Sequence, residues 1–377
     1  MTIKHWQKIL CALVLTAGMA RSAAAQVQGT QDNTAYGGAS GEFLLLGAGA
    51  RGVALGGAFA ALTTDATATY YNPAGLAQIP SRSIMFSSYK YVAGTNYAWG
   101  GVAFPIGGGS KALGFSLGSF GFSDQPIYTI DNPDGDGRTY SVRETFISAT
   151  AAQNFSDRFS AGLTFKVIND RLGTARGSAF AIDFGTNFHA TVGDRPIRAA
   201  FVIQNLGSNM NHQGADLDVG VTRAPPLGTV DVPQEPQQAR LKTTAWTLPT
   251  TFRVAVAFDV FSQGQNRVSV LGEFDQPNFN KAAAGGGIEW SMTNVGNSGF
   301  SLAARGSYSL QPDNKNSDLN LNGLTTAQSS GTFTSDGLAV GGGLSYAKGH
   351  AKFGFDYAYR NMGALGGTNF VSFTIGW

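Results

Sequence analysis

The chain has 377 residues, of which only 13% are charged, while 51 are glycine and 26 phenylalanine. So little charge beside so many aromatics excludes a disordered chain, and a net charge of +2 gives no reason to expect a nucleic-acid partner. A mean hydropathy of −0.05 speaks against a bundle of membrane-spanning helices.

Residues 1–25 read as an export leader. Lys4 and Lys8 form a positive start, Ile9 to Ala20 is an apolar run too short to span a bilayer, and Ala23-Ala24-Ala25 supplies an A-x-A cleavage site before Gln26. Lys8-Ile9-Leu10 lacks the small residue that would precede a lipoprotein cysteine at Cys11. Cleavage removes three of the 26 basic residues and none of the 24 acidic ones, leaving a net charge of −1. It also removes the only cysteine, so the mature chain has neither disulfides nor thiol chemistry. His189, His212 and His350 lack ligand spacing, and neither a metal site nor a cofactor is expected.

Residues 26–82 carry a different composition. Gly47, Gly49 and Gly52 match G-x-G-x-x-G after the apolar run Phe43 to Leu46. A dinucleotide site would need an acid about 20 residues on, inside a βαβ unit. Position 72 is Asn and the nearest acid is Asp65, so that reading is set aside. Gly56, Gly57, Ala58, Ala60 and Ala61 instead make a slim segment that can lie close to other backbone. The expectation is a plug, with Asn72, Pro73 and Ala74 as an ordered turn in which Pro73 starts a short helix.

Residues 83–377 alternate. Phe353, Phe355, Tyr357 and Tyr359 interleave with Lys352, Gly354, Asp356 and Ala358, which is the period of a half-buried strand. Fourteen such segments begin near residues 84, 96, 112, 141, 159, 178, 197, 250, 267, 281, 299, 336, 351 and 369. Those at 141 and 281 are the weakest, because Arg143 and Glu144 interrupt one and a Gly-Ala run blurs the other. Even-numbered connections are all short, and the three long ones (about 123–139, 207–247 and 311–335) are all odd. Short turns on one side and long loops on the other are the build of an outer-membrane barrel. The fold expected is therefore all-β: a fourteen-stranded antiparallel transmembrane β-barrel with a small N-terminal plug in its lumen.

Apparent changes of phase in the first three strands suggest β-bulges and a kinked wall. Ile84 and Phe86 give way to Tyr89 and Tyr91, Tyr97 and Trp99 to Val102 and Phe104, and Leu113, Phe115 and Leu117 to Phe120 and Phe122. The inward phase holds Lys166, Asp183, Arg198, Arg253, Asp259, Arg267, Glu273, Arg305, Lys352 and Asp356, expected as an interior network that holds the plug. Asn132, Asp134, Asp136 and Gly137, and again Asp318, Asn320, Asn322 and Gly323, have Ca²⁺-loop spacing. Arg143 and Ser329 stand where the closing Glu should be, so both read as solvated turns. No nucleophile set or carboxylate pair has catalytic spacing, and an enzyme is not expected. The chain ends on Phe373, Ile375 and Trp377 along one face, which is similar to the terminal signal read by the outer-membrane assembly machinery.

Residues 43–77, with GARGVALGGAFAAL and YYNPAGLA, closely resemble the N-terminal signature of the PorV/PorQ family within the FadL-like superfamily. The resemblance implies an outer-membrane barrel of a Gram-negative bacterium, with Asn72, Pro73 and Ala74 as the hatch motif. It implies a protein-docking role beside type IX-like secretion components or exported cargo. The alternative is a FadL-like passive transporter of a hydrophobic small molecule, with the kinked wall as its exit. Partners common to both are outer-membrane lipid and the assembly machinery.

Overall fold

The computed structural model describes residues 37–221, 237–310 and 337–377. The leader, its cleavage site and the Ca²⁺-like spacing at Asp318 to Gly323 lie outside these residues.

Fourteen long strands form one ring: β1 (Ser83–Lys90), β2 (Asn96–Ile106), β3 (Lys111–Pro126), β4 (Thr139–Ser156), β5 (Phe159–Leu172), β6 (Ala175–Val192), β7 (Arg195–Gly207), β8 (Thr251–Gln263), β9 (Asn266–Pro277), β10 (Ala283–Met292), β11 (Phe300–Leu310), β12 (Leu338–Lys348), β13 (Ala351–Asn361) and β14 (Gly367–Gly376). Each pairs antiparallel with the next, and β14 returns to β1 from Ser83↔Gly376 to Ser88↔Val371. The ring is closed, so no strand edge is left unpaired. No strand start departs from the sequence expectation by more than three residues, the two weak segments included. Outward side chains are large and apolar, as at Leu163 and Phe165 on β5 and at Phe353, Phe355 and Tyr357 on β13. Many inward ones are polar or small, and Ser116 with Ser148 (2.6 Å) and Thr150 with Thr164 (2.8 Å) bond across strands.

The phase changes expected in β1–β3 are not bulges. Pairing is unbroken from Ser83↔Ala103 to Lys90↔Asn96, and from Asn96↔Gly121 to Ile106↔Lys111. Tyr89, Tyr97 and Trp99 stay in phase and face inward, where they are buried. Aromatics on the inner phase mimic a slip when the sequence is read alone. Real register shifts lie at Phe122/Gln125 between β3 and β4 and at Ile182/Phe184 between β6 and β7, with others at Asn154/Ser156 and Asp259/Phe261. At the second, Asn205 takes a left-handed φ of 57°.

Residues 41–79 lie inside the ring. They form a 3₁₀ turn (Glu42–Leu45), two single-turn helices, α1 (Ala50–Ala54) and α2 (Ala68–Tyr71), and a second 3₁₀ turn (Pro73–Gln78). On one side α1 touches β11–β14, and on the other Pro73–Gln78 touches β4–β6. Phe59, Leu55 and Leu76 are fully buried between them.

At the seam, the Trp377 N–H donates to the Arg82 carbonyl (3.0 Å), while Phe373, Ile375 and the Trp377 ring remain exposed on the outer face. Trp suits a membrane interface, where its ring is buried and its N–H stays wet. Deleting Trp377 should lower outer-membrane levels of the protein far more than Trp377→Phe, read by immunoblot of fractionated membranes. Equal levels would show that the terminal aromatic carries no assembly signal.

Candidate functional site: the filled lumen

The Asn72-Pro73-Ala74 turn sits on a bare patch of wall. Gly162 of β5 and Gly185 of β6 face each other in register. A Cβ on Gly162 would stand 2.5 Å from the Pro73 carbonyl carbon, and one on Gly185 would strike the Asn72 side chain and stand 2.9 Å from Pro73 Cδ. Asn72 is extended (φ −160°), as a residue before proline should be. Its Oδ1 accepts from the Ala74 N–H (3.1 Å), and its Nδ2 donates to the carbonyls of Ala60 (2.9 Å) and Thr186 (3.2 Å). One buried amide thus caps the turn, ties it to the rest of the inner segment and ties both to β6. Asn154 adds a further tie, donating from Nδ2 to the Ala77 carbonyl (2.9 Å).

The glycine motif at residues 47–52 is held by hydroxyls. Gly47 N–H donates to Tyr70 Oη (2.8 Å), which itself donates to the Leu44 carbonyl (2.7 Å). Ala48 N–H donates to Tyr71 Oη, Gly49 N–H to Ser87 Oγ, and Ala50 N–H to Ser372 Oγ. These amides are occupied and cannot cradle a phosphate. Burial pushes the Tyr70 phenol up to about 12 and Tyr71 higher still, so both stay neutral donors. Gly52 leaves room for the Tyr71 ring, which would lie 2.5 Å from a Cβ there.

The interior charges form four groups. Lys166 meets Asp183 and Asn205 Oδ1 (2.7 Å each). Arg198 reaches Asp259 (3.4 Å), which also accepts from Ser269 (2.7 Å). Arg253 pairs with Glu273 (3.0 Å) and Asp275 (2.6 Å). The fourth centres on Glu289, which takes Arg51 of the inner segment (2.8 Å), Arg305 (2.7 Å) and Arg267 (3.5 Å). Arg305 continues to Asp356 (2.6 Å), and Arg51 to Asp65 (3.6 Å). Of the residues singled out in the sequence, nine are thus brought into pairs. Lys352 is on the inward phase but exposed, and makes no salt bridge among the described residues. Glu289 and Arg51, the centre of the largest group, were missed. Glu289 sits behind the Gly-Ala run that blurs β10, and Arg51 lies inside the glycine motif.

Burial pushes the Arg51 guanidinium down and Glu289 more than reverses it, so the group keeps its charge. Its guanidinium also lies 4.9 Å from the centre of the Phe59 ring. Each acid in these groups is held by a cation, and among the described residues no set of three or more His, Asp or Glu can hold a metal. In the first Ca²⁺-like turn, Asp136 is engaged by Arg138 (2.6 Å).

Above the inner segment, at the long-loop end, aromatics close the lumen. Tyr89 contacts Phe370 (ring centres 4.0 Å) and Tyr97 (5.3 Å), and Tyr91 contacts Phe120 (6.0 Å). Tyr89 Oη donates to the Leu46 carbonyl (2.9 Å), which joins this cluster to the segment below.

No protein-family model and no curated protein matches the chain. Among solved structures, the Pseudomonas putida toluene transporter TodX is similar at a TM-score of 0.51 and 10% identity, over 88% of this chain and 96% of that one. The monoaromatic hydrocarbon channel CymD is similar at a TM-score of 0.52 and 13% identity, over 88% and 97%. The chain therefore shares the fourteen-stranded antiparallel barrel fold of these two proteins. The narrower PorV/PorQ resemblance rests on residues 43–77 alone.

Two predictions test how the segment is held. Glu289→Ala and Glu289→Gln both remove the charge that Arg51, Arg305 and Arg267 share, and each should cost about 3 kcal/mol or more in urea titrations read by heat-modifiable gel migration. A far smaller cost for Glu289→Gln would mean that the charge is not what holds the site. Gly185→Ala should unseat the Asn72 turn and speed proteolysis between residues 41 and 79, while Gly272→Ala, whose Cβ meets nothing within 4 Å, should not. Like rates for the two variants would contradict the seat.

Proposed function

We propose that the protein is an outer-membrane barrel that passes a hydrophobic small molecule, and that residues 41–79 are the hatch it must displace. A ring with an apolar outside and no free edge is a structure that a bilayer accepts, and the leader-like residues 1–25 suit export to the outer membrane. The carrying observation is the aromatic cluster of Tyr89, Tyr97 and Phe370, set at the lumen mouth of a fold shared with two hydrocarbon channels. Aromatic faces suit apolar, flat molecules. The carboxylates of the four interior groups are all engaged, which favours a channel over an enzyme.

The route differs from the one expected. Unbroken pairing in β1–β3 offers no side exit there, so passage runs along the lumen and the hatch must shift. Cells lacking their own hydrocarbon channels should take up labelled toluene faster when they produce this protein, and faster again when residues 26–80 are deleted behind an intact leader. No gain with the full-length protein would count against transport, and no further gain on deletion would mean that the segment does not obstruct the lumen.

A second reading, a protein-docking barrel beside secretion components, draws on the hatch signature at residues 43–77 and on how fully that segment fills the lumen. Affinity capture from outer membranes, with identification of co-purified exported proteins, separates the two. A specific exported partner together with no toluene uptake would favour docking.

A further inference from the structure

The described ends of the connection between β7 and β8, residues 208–217 and 241–250, fold inward at the barrel mouth. Met210 and Trp246 exchange backbone hydrogen bonds (2.8 and 2.9 Å), and Thr247 accepts from the Ser40 N–H (2.9 Å) at the start of the inner segment. Met210 and Leu248 are buried there, between the segment and the wall. His212 and Gln213 add a short strand against Arg176 and Gly177 of β6.

The His212 ring occupies the place that a side chain on residue 177 would take. A Cβ on Gly177 would stand 2.9 Å from His212 Nε2. Gly177 is paired with Asp170 of β5, and Asp170 with Glu144 of β4. Imidazole and two carboxylates therefore lie in one row across three strands. Nε2 is 2.7 Å from Asp170 Oδ2, and the other Asp170 oxygen is buried without a hydrogen-bond partner. Nothing in the hatch or in the aromatic cluster uses this row.

We propose that His212 and Asp170 form a proton-dependent clasp that holds residues 208–217 down on the barrel mouth. The clasp is independent of which molecule the barrel serves. An imidazole ordinarily gains its charge as pH falls from about 8 to 5. Protonated, it gives Asp170 a charge-assisted bond. Neutral, it leaves two carboxylates opposite each other. The clasp is therefore tight at the acid end and loosens as pH rises. Glu42 at the segment start adds negative charge to the same mouth. The opposing cations are Arg240 and Lys242, which share a cavity of about 300 Å³ with His212. Asp218 holds Arg240 at 2.6 and 3.0 Å.

The test is thiol labelling of the full chain in liposomes, with Cys11→Ala removing the only native cysteine. Met210→Cys reports loop opening, and fully exposed Ile130→Cys corrects for the pH dependence of the reagent. Corrected labelling at Met210→Cys should be about fivefold faster at pH 8 than at pH 5. With Glu144→Gln present throughout, so that the second carboxyl of the row does not titrate, adding His212→Gln, which keeps a donor but does not titrate, should abolish that ratio. Adding Gly177→Ala should give fast labelling at both pH values. A ratio near one with His212 intact, or a ratio that survives His212→Gln, would overturn the clasp.

Discussion

An unpaired backbone group in hydrocarbon costs several kcal/mol, and this constraint dictates the rest of the molecule. It forces β14 back onto β1 and makes the outer face apolar, as at Phe86, Phe165 and Phe355. A ring of fourteen strands encloses more space than its inward side chains fill. The inner segment occupies that space, and the wall is shaped to receive it. Inward glycines appear where the segment comes closest: Gly162 and Gly185 under the Asn72 turn, and Gly287 and Gly341 beside Leu55 and Ala54.

Charge does the rest of the holding. Arg51 is carried into the lumen by a single helical turn and meets a carboxylate that Arg305 and Arg267 also need. A buried ion is tolerated only when it is paired, so Glu289 and Arg51 each make the other's position necessary. At the opposite wall the attachment is uncharged, through Asn72, Ser160 and Asn154. The segment is thus fixed by an ionic contact on one side and by a neutral seat on the other. The ionic side is the one that solvent and mutation can weaken selectively.

Most of the ring was legible in the sequence, because period-two alternation and the sorting of loop lengths report strands directly. Phe353 to Tyr359 could be read as an outward face without any contact being known. The phases of Tyr89, Tyr97 and Trp99 could not, since an aromatic on the inner face resembles a slipped outer one until the segment it covers is seen. The inward charges were legible as a set but not as pairs, because partners lie far apart in the chain, 238 residues for Arg51 and Glu289. The His212 clasp left no local signal, for Asp170, Gly177 and His212 meet only when the loop folds back.

On the proposed function, passage requires the inner segment to leave its seat. A disulfide between Gly56→Cys and Ser309→Cys would pin it, since Ser309 Oγ lies 3.0 Å from where a Cβ on residue 56 would stand, with Ser307→Gly added to clear the Ser307 side chain, whose Oγ would lie 2.8 Å from that Cβ. With Cys11→Ala as background, toluene uptake by cells carrying this variant should be lost on oxidation and return on reduction. Equal uptake in the oxidised and reduced states would contradict the account.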